Sequence, residues 1–190
     1  MKALFLALLF YVFFILNTYA QGRDSILSSS GWVDSVYKTL SLTEQIEQLF
    51  MVSVYSNGDD KYCEEKSEEI CKYKPGGVAF FKGGPLRQAY LTNRFQQEAN
   101  IPLLIAIDGE WCLSMRLDST PLFPRQITLG AIQNDSLLFY LGYEIARECK
   151  RMGIQINFAP VVDINNNAKN PVINSRSFGE NKYNVAEKGL

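Results

Sequence analysis

From Trp32 onward, short apolar runs alternate with amphipathic stretches. Trp32, Val33, Val36, Tyr37 and Leu40 recur at helical spacing, and Ser41-x-x-Glu44 has the form of a capping box. That box predicts a second helix with Leu42, Ile46 and Leu49 on one face. Phe50–Tyr55 (FMVSVY) is β-branched and aromatic and predicts a short buried strand. Asp59–Tyr73 reads as a charged helix stopped by Pro75-Gly76-Gly77, and Val78–Phe81 as the next strand. After Gly83-Gly84-Pro85 come a helix over Leu86–Ala99 and a strand over Leu103–Ile107. A long polar loop then leads to a helix capped near Asn134, with Leu138, Leu141, Ile145 and Met152 on one stripe and Gly153 ending it. Ile156–Pro160 predicts a fourth strand, and Asn184–Leu190 a helix that is just starting.

Apolar strands separated by amphipathic helices predict an α/β protein with a parallel sheet covered on both faces. Four such units are about half of a TIM (β/α)8 barrel, which needs about 250 residues. A doubly wound sheet is the alternative. Two features favour the barrel. No strand-to-helix turn carries G-x-G-x-x-G, and Gly76-Gly77 precedes its strand instead of following it. Polar residues also gather where the strands end: Ser56-Asn57, Lys82, Asp108-Gly109-Glu110, and Asp163 to Asn167. Barrel active sites are built there. With no closing strands in the sequence, residues 21–190 are expected to be the truncated first half of such a barrel.

Residues 1–20 form a separate object. Lys2 is followed by the apolar run Ala3–Leu16, and Thr18-Tyr19-Ala20 offers a small-residue cleavage pattern before Gln21. That layout predicts a secretory signal peptide and an exported, periplasmic or secreted protein; an uncleaved membrane anchor is the rival reading. With 19 basic and 20 acidic residues, the chain gives no electrostatic case for nucleic acid or for a membrane beyond the signal peptide. The 4 cysteines permit disulfides in an exported chain, yet none has CxxC or zinc spacing, so no metal site is expected. Cys63 and Cys71 lie on one predicted helix, where a bridge is geometrically implausible. Free or partly buried thiols are the expectation for Cys63, Cys71, Cys112 and Cys149.

Two stretches carry candidate chemistry. In Leu103–Arg116 (LLIAIDGEWCLSMR), Asp108 ends a buried strand and Arg116 follows eight positions later. A carboxylate accepts vicinal hydroxyl donors and a guanidinium returns several donors, a combination suited to sugars. The plainer reading is an Asp capping local amides beside a surface Arg. In Asn157–Glu180 a strand gives way to an Asn-rich loop and then Arg176-Ser177-Phe178-Gly179-Glu180. A loop this long is uncommon in a compact domain unless functional. It could equally be a turn-rich connector in which Asn165 to Asn167 supply turn conformations.

These stretches, together with Lys74–Phe81 (KPGGVAFF) and Phe123-Pro124 with Leu129-Gly130 beyond it, resemble the N-terminal barrel domain of glycoside hydrolase family 3. The likeness is to its β-N-acetylglucosaminidase branch in particular, and it runs from Lys74 to Glu180 in order. By that resemblance Asp108 binds hydroxyls of the terminal sugar, Arg116 contacts the same sugar, and Arg176 is a second substrate-binding arginine. One departure stands out. The family often has two glycines after the D-x-E glutamate, where this chain has Trp111 and Cys112. A Trp there could form a stacking wall for a sugar.

The resemblance implies retaining hydrolysis through a covalent glycosyl–aspartate intermediate, with no cofactor. In that branch the acid/base is a histidine and the nucleophile an aspartate, both expected beyond Leu190; the chain contains no histidine. No catalytic residue is therefore assigned within it, and the 190 residues alone are expected to be inactive. The implied substrate is a carbohydrate ending in N-acetylglucosamine or glucose. A β-glucosidase-type exo-hydrolase of the same family and a non-catalytic sugar-binding fragment are the alternatives.

Overall fold

The structure, a computed structural model, describes residues 31–190, so the signal-peptide reading of residues 1–20 lies outside the described residues. The chain divides into two compact units, with the division in sequence after Gln45. In the first, residues 31–39 are helical (α1), with Trp32, Val33 and Tyr37 exposed. The capping box forms as read: Glu44 N donates to Ser41 Oγ at 3.3 Å and Ser41 N donates to the Glu44 carboxylate at 2.8 Å. It opens α2 (Leu42–Glu47).

The second unit holds the sheet. Its elements are β1 (Met51–Tyr55), α3 (Asp60–Tyr73), β2 (Gly77–Lys82), α4 (Pro85–Glu98), β3 (Leu104–Ile107), α5 (Gln126–Gly130), α6 (Asp135–Arg151), β4 (Ile156–Asn157) and α7 (Lys182–Gly189). All pairings are parallel in the order β1-β2-β3-β4, with Val54 beside Phe80, Phe80 beside Ile107, and Ile107 beside Asn157. This is four β/α units of a (β/α)8 barrel.

Strand alternation decides what faces where. Val78, Phe80, Ile105 and Ile107 are fully buried and pack with Ile70 of α3 and with Leu91 and Phe95 of α4. The intervening positions, including Ala106 and Asp108, take the other face. Helix α3 starts at Asp59, whose side chain accepts from Tyr62 N, and stops at Lys74 in the left-handed region (φ 45°). Helix α4 starts with Pro85 at its first turn, where a missing N–H costs nothing.

Four elements differ from the sequence reading. Helix α2 stops at Glu47, so Leu49 of its expected face lies outside it and is exposed. The fourth strand is two residues long, not five. Phe158 N still donates to Ile107 O at 2.9 Å, but Pro160 has no N–H to continue the ladder, and Phe158 turns its ring outward. The polar loop before α6 contains the short helix α5, with Gln126 and Leu129 buried. A side chain at Gly130 would strike the Phe178 carbonyl, so α5 can lie against that strand of chain only because residue 130 is glycine. Helix α7 begins at Lys182, two residues earlier than read, because the Asn181 side chain accepts from Tyr183 N and Asn184 N.

All four cysteines are free; Cys71 is exposed and the other three are buried. Beside β4 the packing is open. Leu138, Leu141 and Ile145 of α6 line a groove of about 560 Å³ together with Leu129, Ile154 and Phe178. The stripe read in α6, Leu138, Leu141, Ile145 and Met152, is thus half-buried throughout, and the buried residue of this helix is Cys149. No described helix is long and apolar enough to cross a membrane.

Candidate sugar-binding site

The site begins where β3 ends. Ile105 and Ile107 point under the helices, so Asp108 emerges on the opposite face at the carboxyl end of the sheet. The chain then folds back through a 3-10 turn, Leu113–Met115, whose Leu113 is buried. That return brings Arg116 to Asp108: its Nε donates to the Asp108 carbonyl at 2.7 Å, and its Nη2 pairs with Asp108 Oδ2. The guanidinium also lies over the Phe81 ring, 4.9 Å from its centroid. Asp108 Oδ1 accepts no hydrogen bond among the described residues, and the carboxylate is 25% exposed.

Glu110, two residues on, makes the second pair. Arg176 Nε donates to Glu110 Oε2 at 2.7 Å and Nη2 to Oε1 at 2.5 Å, a two-pronged contact. The Glu110 side chain is 6% exposed and that of Arg176 31%. The hydrogen bond to Glu110 holds the Arg176 pKa above its ordinary value, with Asp108 and Asp163 adding to the field. A buried carboxylate is tolerable only with such a partner. Arg176 itself is placed by a short 3-10 turn, Asn174–Arg176, and by Nη1 donating to Val172 O at 3.1 Å.

Backbone anchors tie the two loops together. Asn157 extends the sheet with its side chain where strand pairing stops: Gly109 N donates to Asn157 Oδ1 at 3.0 Å, and Asn157 Nδ2 donates to Gly109 O at 3.3 Å. Gln126, in the amide orientation that satisfies both ends, donates to Arg176 O and accepts from Val161 N at 2.8 Å. Ser177, fully buried, donates to Asp163 O at 2.5 Å and accepts from Gly179 N at 3.1 Å.

Cys112 explains a departure seen in the sequence. Its φ is 84° and ψ −179°, a conformation that glycine adopts freely and other residues rarely do. The backbone therefore keeps the shape of a glycine while the thiol is fully buried, 3.3 Å from the Pro121 carbonyl. Trp111 is half-buried, and the Arg125 guanidinium stacks on its ring at 4.2 Å. The face read as a possible wall for sugar carries an arginine on one side.

The structure brings Asp108, Arg116 and Arg176 to one mouth through the Asp108 and Glu110 loop. Sequence reasoning did not assign Glu110, Phe81, Arg125, Gln126 or Asn157. Glu110 could have been found from its place two residues after Asp108, and Arg125 stands only 14 positions from Trp111; Phe81, Gln126 and Asn157 are joined to the site across gaps of 35 residues or more, as Gln126 is to Val161. Among the described residues, no group of three or more Cys, Asp or Glu could hold a metal ion.

The family model described as "Glycosyl hydrolase family 3 N terminal domain" matches residues 41–190. A protein named beta-hexosaminidase A from Pseudoalteromonas piscicida is 37% identical over 139 residues, 66% of this chain and 23% of its own length. A "Beta-N-acetylglucosaminidase/beta-glucosidase" from Cellulomonas fimi is 28% identical over 158 residues, 83% of this chain and 27% of its own. Among solved structures, a β-N-acetylglucosaminidase from Paenibacillus sp. str. FPU-7 superposes with a TM-score of 0.69 at 34% identity, covering 79% of this chain and 30% of that one. The chain thus spans about a quarter of the length of these two curated relatives.

Proposed function

Because the chain belongs to glycoside hydrolase family 3, matching its N-terminal domain over residues 41–190, we propose that it supplies part of the sugar-binding site of an exo-acting, retaining β-N-acetylglucosaminidase. The observation that carries this reading is the pair of ion pairs at one mouth, Asp108 with Arg116 and Glu110 with Arg176. They are placed at the carboxyl ends of the strands, where barrel enzymes bind substrate.

Asp108 Oδ1 would accept from a hydroxyl of the terminal sugar, while Arg116 holds the other oxygen. Arg176, fixed by Glu110, would donate its remaining N–H groups to a second sugar oxygen. Nucleophilic aspartate and acid/base histidine would come from outside these 190 residues, which contain no histidine. The reaction would run through a glycosyl–aspartate intermediate, so these residues bind and orient and do not react. Residues 1–20 would direct export.

Assay of the complete gene product on chromogenic N-acetyl-β-glucosaminide and β-glucoside tests the reading. The expected preference is at least about tenfold in kcat/KM for the N-acetylglucosaminide, with Asp108→Asn reducing it by about 100-fold. A preference for the glucoside would select the glucosidase reading instead, an activity that the two-part name of the Cellulomonas relative gives alongside the other. Hydrolysis of neither by the complete product would overturn both.

A further inference from the structure

Where the Arg176 guanidinium points depends on the main chain that carries it, and that main chain is one short 3-10 turn. Glu110 grips the far end of the side chain. The near end is held by Gln126. This residue opens α5, is 1% exposed, and donates its amide to the Arg176 carbonyl while accepting from Val161 N at 2.8 Å. Both ends of one buried amide are thus satisfied by main-chain groups, which leaves the side chain a single orientation. Helix α5 is itself seated on the same stretch of chain. Leu129 packs with Phe178, and Gly130 lies against the Phe178 carbonyl.

We propose that Gln126 is a positioning residue for Arg176: it touches no sugar, and it places the guanidinium by fixing the carbonyl of the same residue. The inference rests on the sugar-binding reading above and deepens it, giving α5 a task in that site. Two restraints, Glu110 on the guanidinium and Gln126 on the carbonyl, define both ends of the arginine. Without the second, Arg176 stays paired but displaced, and a shift of about 1 Å can cost up to about 100-fold in a preorganised site.

The test uses the complete gene product and its kcat/KM on chromogenic N-acetyl-β-glucosaminide. Gln126→Glu keeps the shape of the side chain. Ionised, it offers only acceptors to the Arg176 carbonyl; protonated, its O–H can donate there while the other oxygen accepts from Val161 N. Measured against the unaltered enzyme at each pH, Gln126→Glu is expected to lose about tenfold at about pH 8 and to recover as pH falls towards about 5, because burial raises the pKa of a carboxyl. Arg176→Lys, which keeps a charge beside Glu110, supplies a second arm. Gln126→Leu is expected to lower kcat/KM about tenfold in the native background and less than about twofold in the Arg176→Lys background, because the two residues act as a unit.

A merely structural Gln126 would lower kcat/KM equally in both backgrounds, and that result overturns the inference. So does a Gln126→Glu loss that is the same at every pH, or full activity of Gln126→Leu. Should Gln126→Leu fail to fold, the pH profile of Gln126→Glu decides alone. Failure of the sugar-binding reading looks different: Arg176→Lys and Asp108→Asn then leave kcat/KM unchanged, which overturns this inference with it.

Discussion

Behind β1, β2 and β3, helices α3 and α4 bury Ile70, Leu91 and Phe95 against Val78, Phe80, Ile105 and Ile107. Beside β4, α6 buries Cys149 and leaves Leu138, Leu141 and Ile145 along an open groove. Both flanks carry the same sequence signal, an amphipathic helix following an apolar strand. An apolar stripe specifies which face of a helix needs cover; it does not specify what covers it. The first flank has neighbours on both sides within the described residues and closes. The second has β3 on one side and the groove on the other.

The sharpest way to break this comparison is truncation on each flank. Phe80→Ala, at a fully buried position of β2, is expected to cost about 3–5 kcal/mol in urea unfolding, whereas Leu141→Ala in the groove should cost about 1 kcal/mol or less. Equal losses would mean the groove is closed in solution. Next in size is Glu110→Gln. It strips the charge from a side chain that is 6% exposed and leaves Arg176 without its partner, for about 2–3 kcal/mol in the same assay.

Cys112 allows a finer probe of the mouth. Substitution by Ala or Gly removes the same buried thiol, so the difference between the two variants isolates backbone conformation. At φ 84° the glycine variant should be the more stable by about 1–2 kcal/mol, the reverse of the order in a helix. Equal stabilities would mean that the loop relaxes away from this conformation.

The smallest expected effects have opposite signs on the two flanks. In the interface of α3 and α4, burial pushes the Glu98 carboxyl up, but hydrogen bonds from Arg94 and Ser67 outweigh it and its pKa is lowered. That stabilisation is present above the unfolded value of about 4.3 and lost as pH falls through the lower folded value. Glu98→Gln should therefore cost about 1 kcal/mol at pH 7 after screening and progressively less as pH falls below about 4.3. On α6, burial and the nearby Glu144 raise the Glu148 pKa, and its Oε2 is buried without a partner. A raised carboxyl stabilises the fold below about 4.3 and loses that contribution as pH rises through the folded value. Glu148→Gln should then be neutral or stabilising by about 0.5 kcal/mol at pH 7, with the gain gone at pH 3. Thermal unfolding across this range reads both.

Much of this architecture was legible in the sequence because its signals are local. The runs ending at Tyr55, Phe81 and Ile107 are continuous and bounded by turns, and all three are strands. Asp108 and Arg116 could be paired in thought because a short turn returns the chain. The fourth strand was read too long because apolar Phe158 and Ala159 look like sheet, although Pro160 cannot donate. Helix α5 was missed because its five residues, preceded by Pro121 and Pro124, are too few to show a period. No local pattern could reveal that Glu110 meets Arg176, since the two are 66 positions apart.

That separation has a consequence for the order of events in folding. Closing a loop of this length costs entropy before any contact is gained, and contacts distant in sequence form slowly. The Asn157–Gly109 clasp, spanning 48 positions, carries the same delay. During refolding, the helices and the β1–β3 pairings are expected to precede the mouth, and the Glu110–Arg176 pair to be among the last contacts to form.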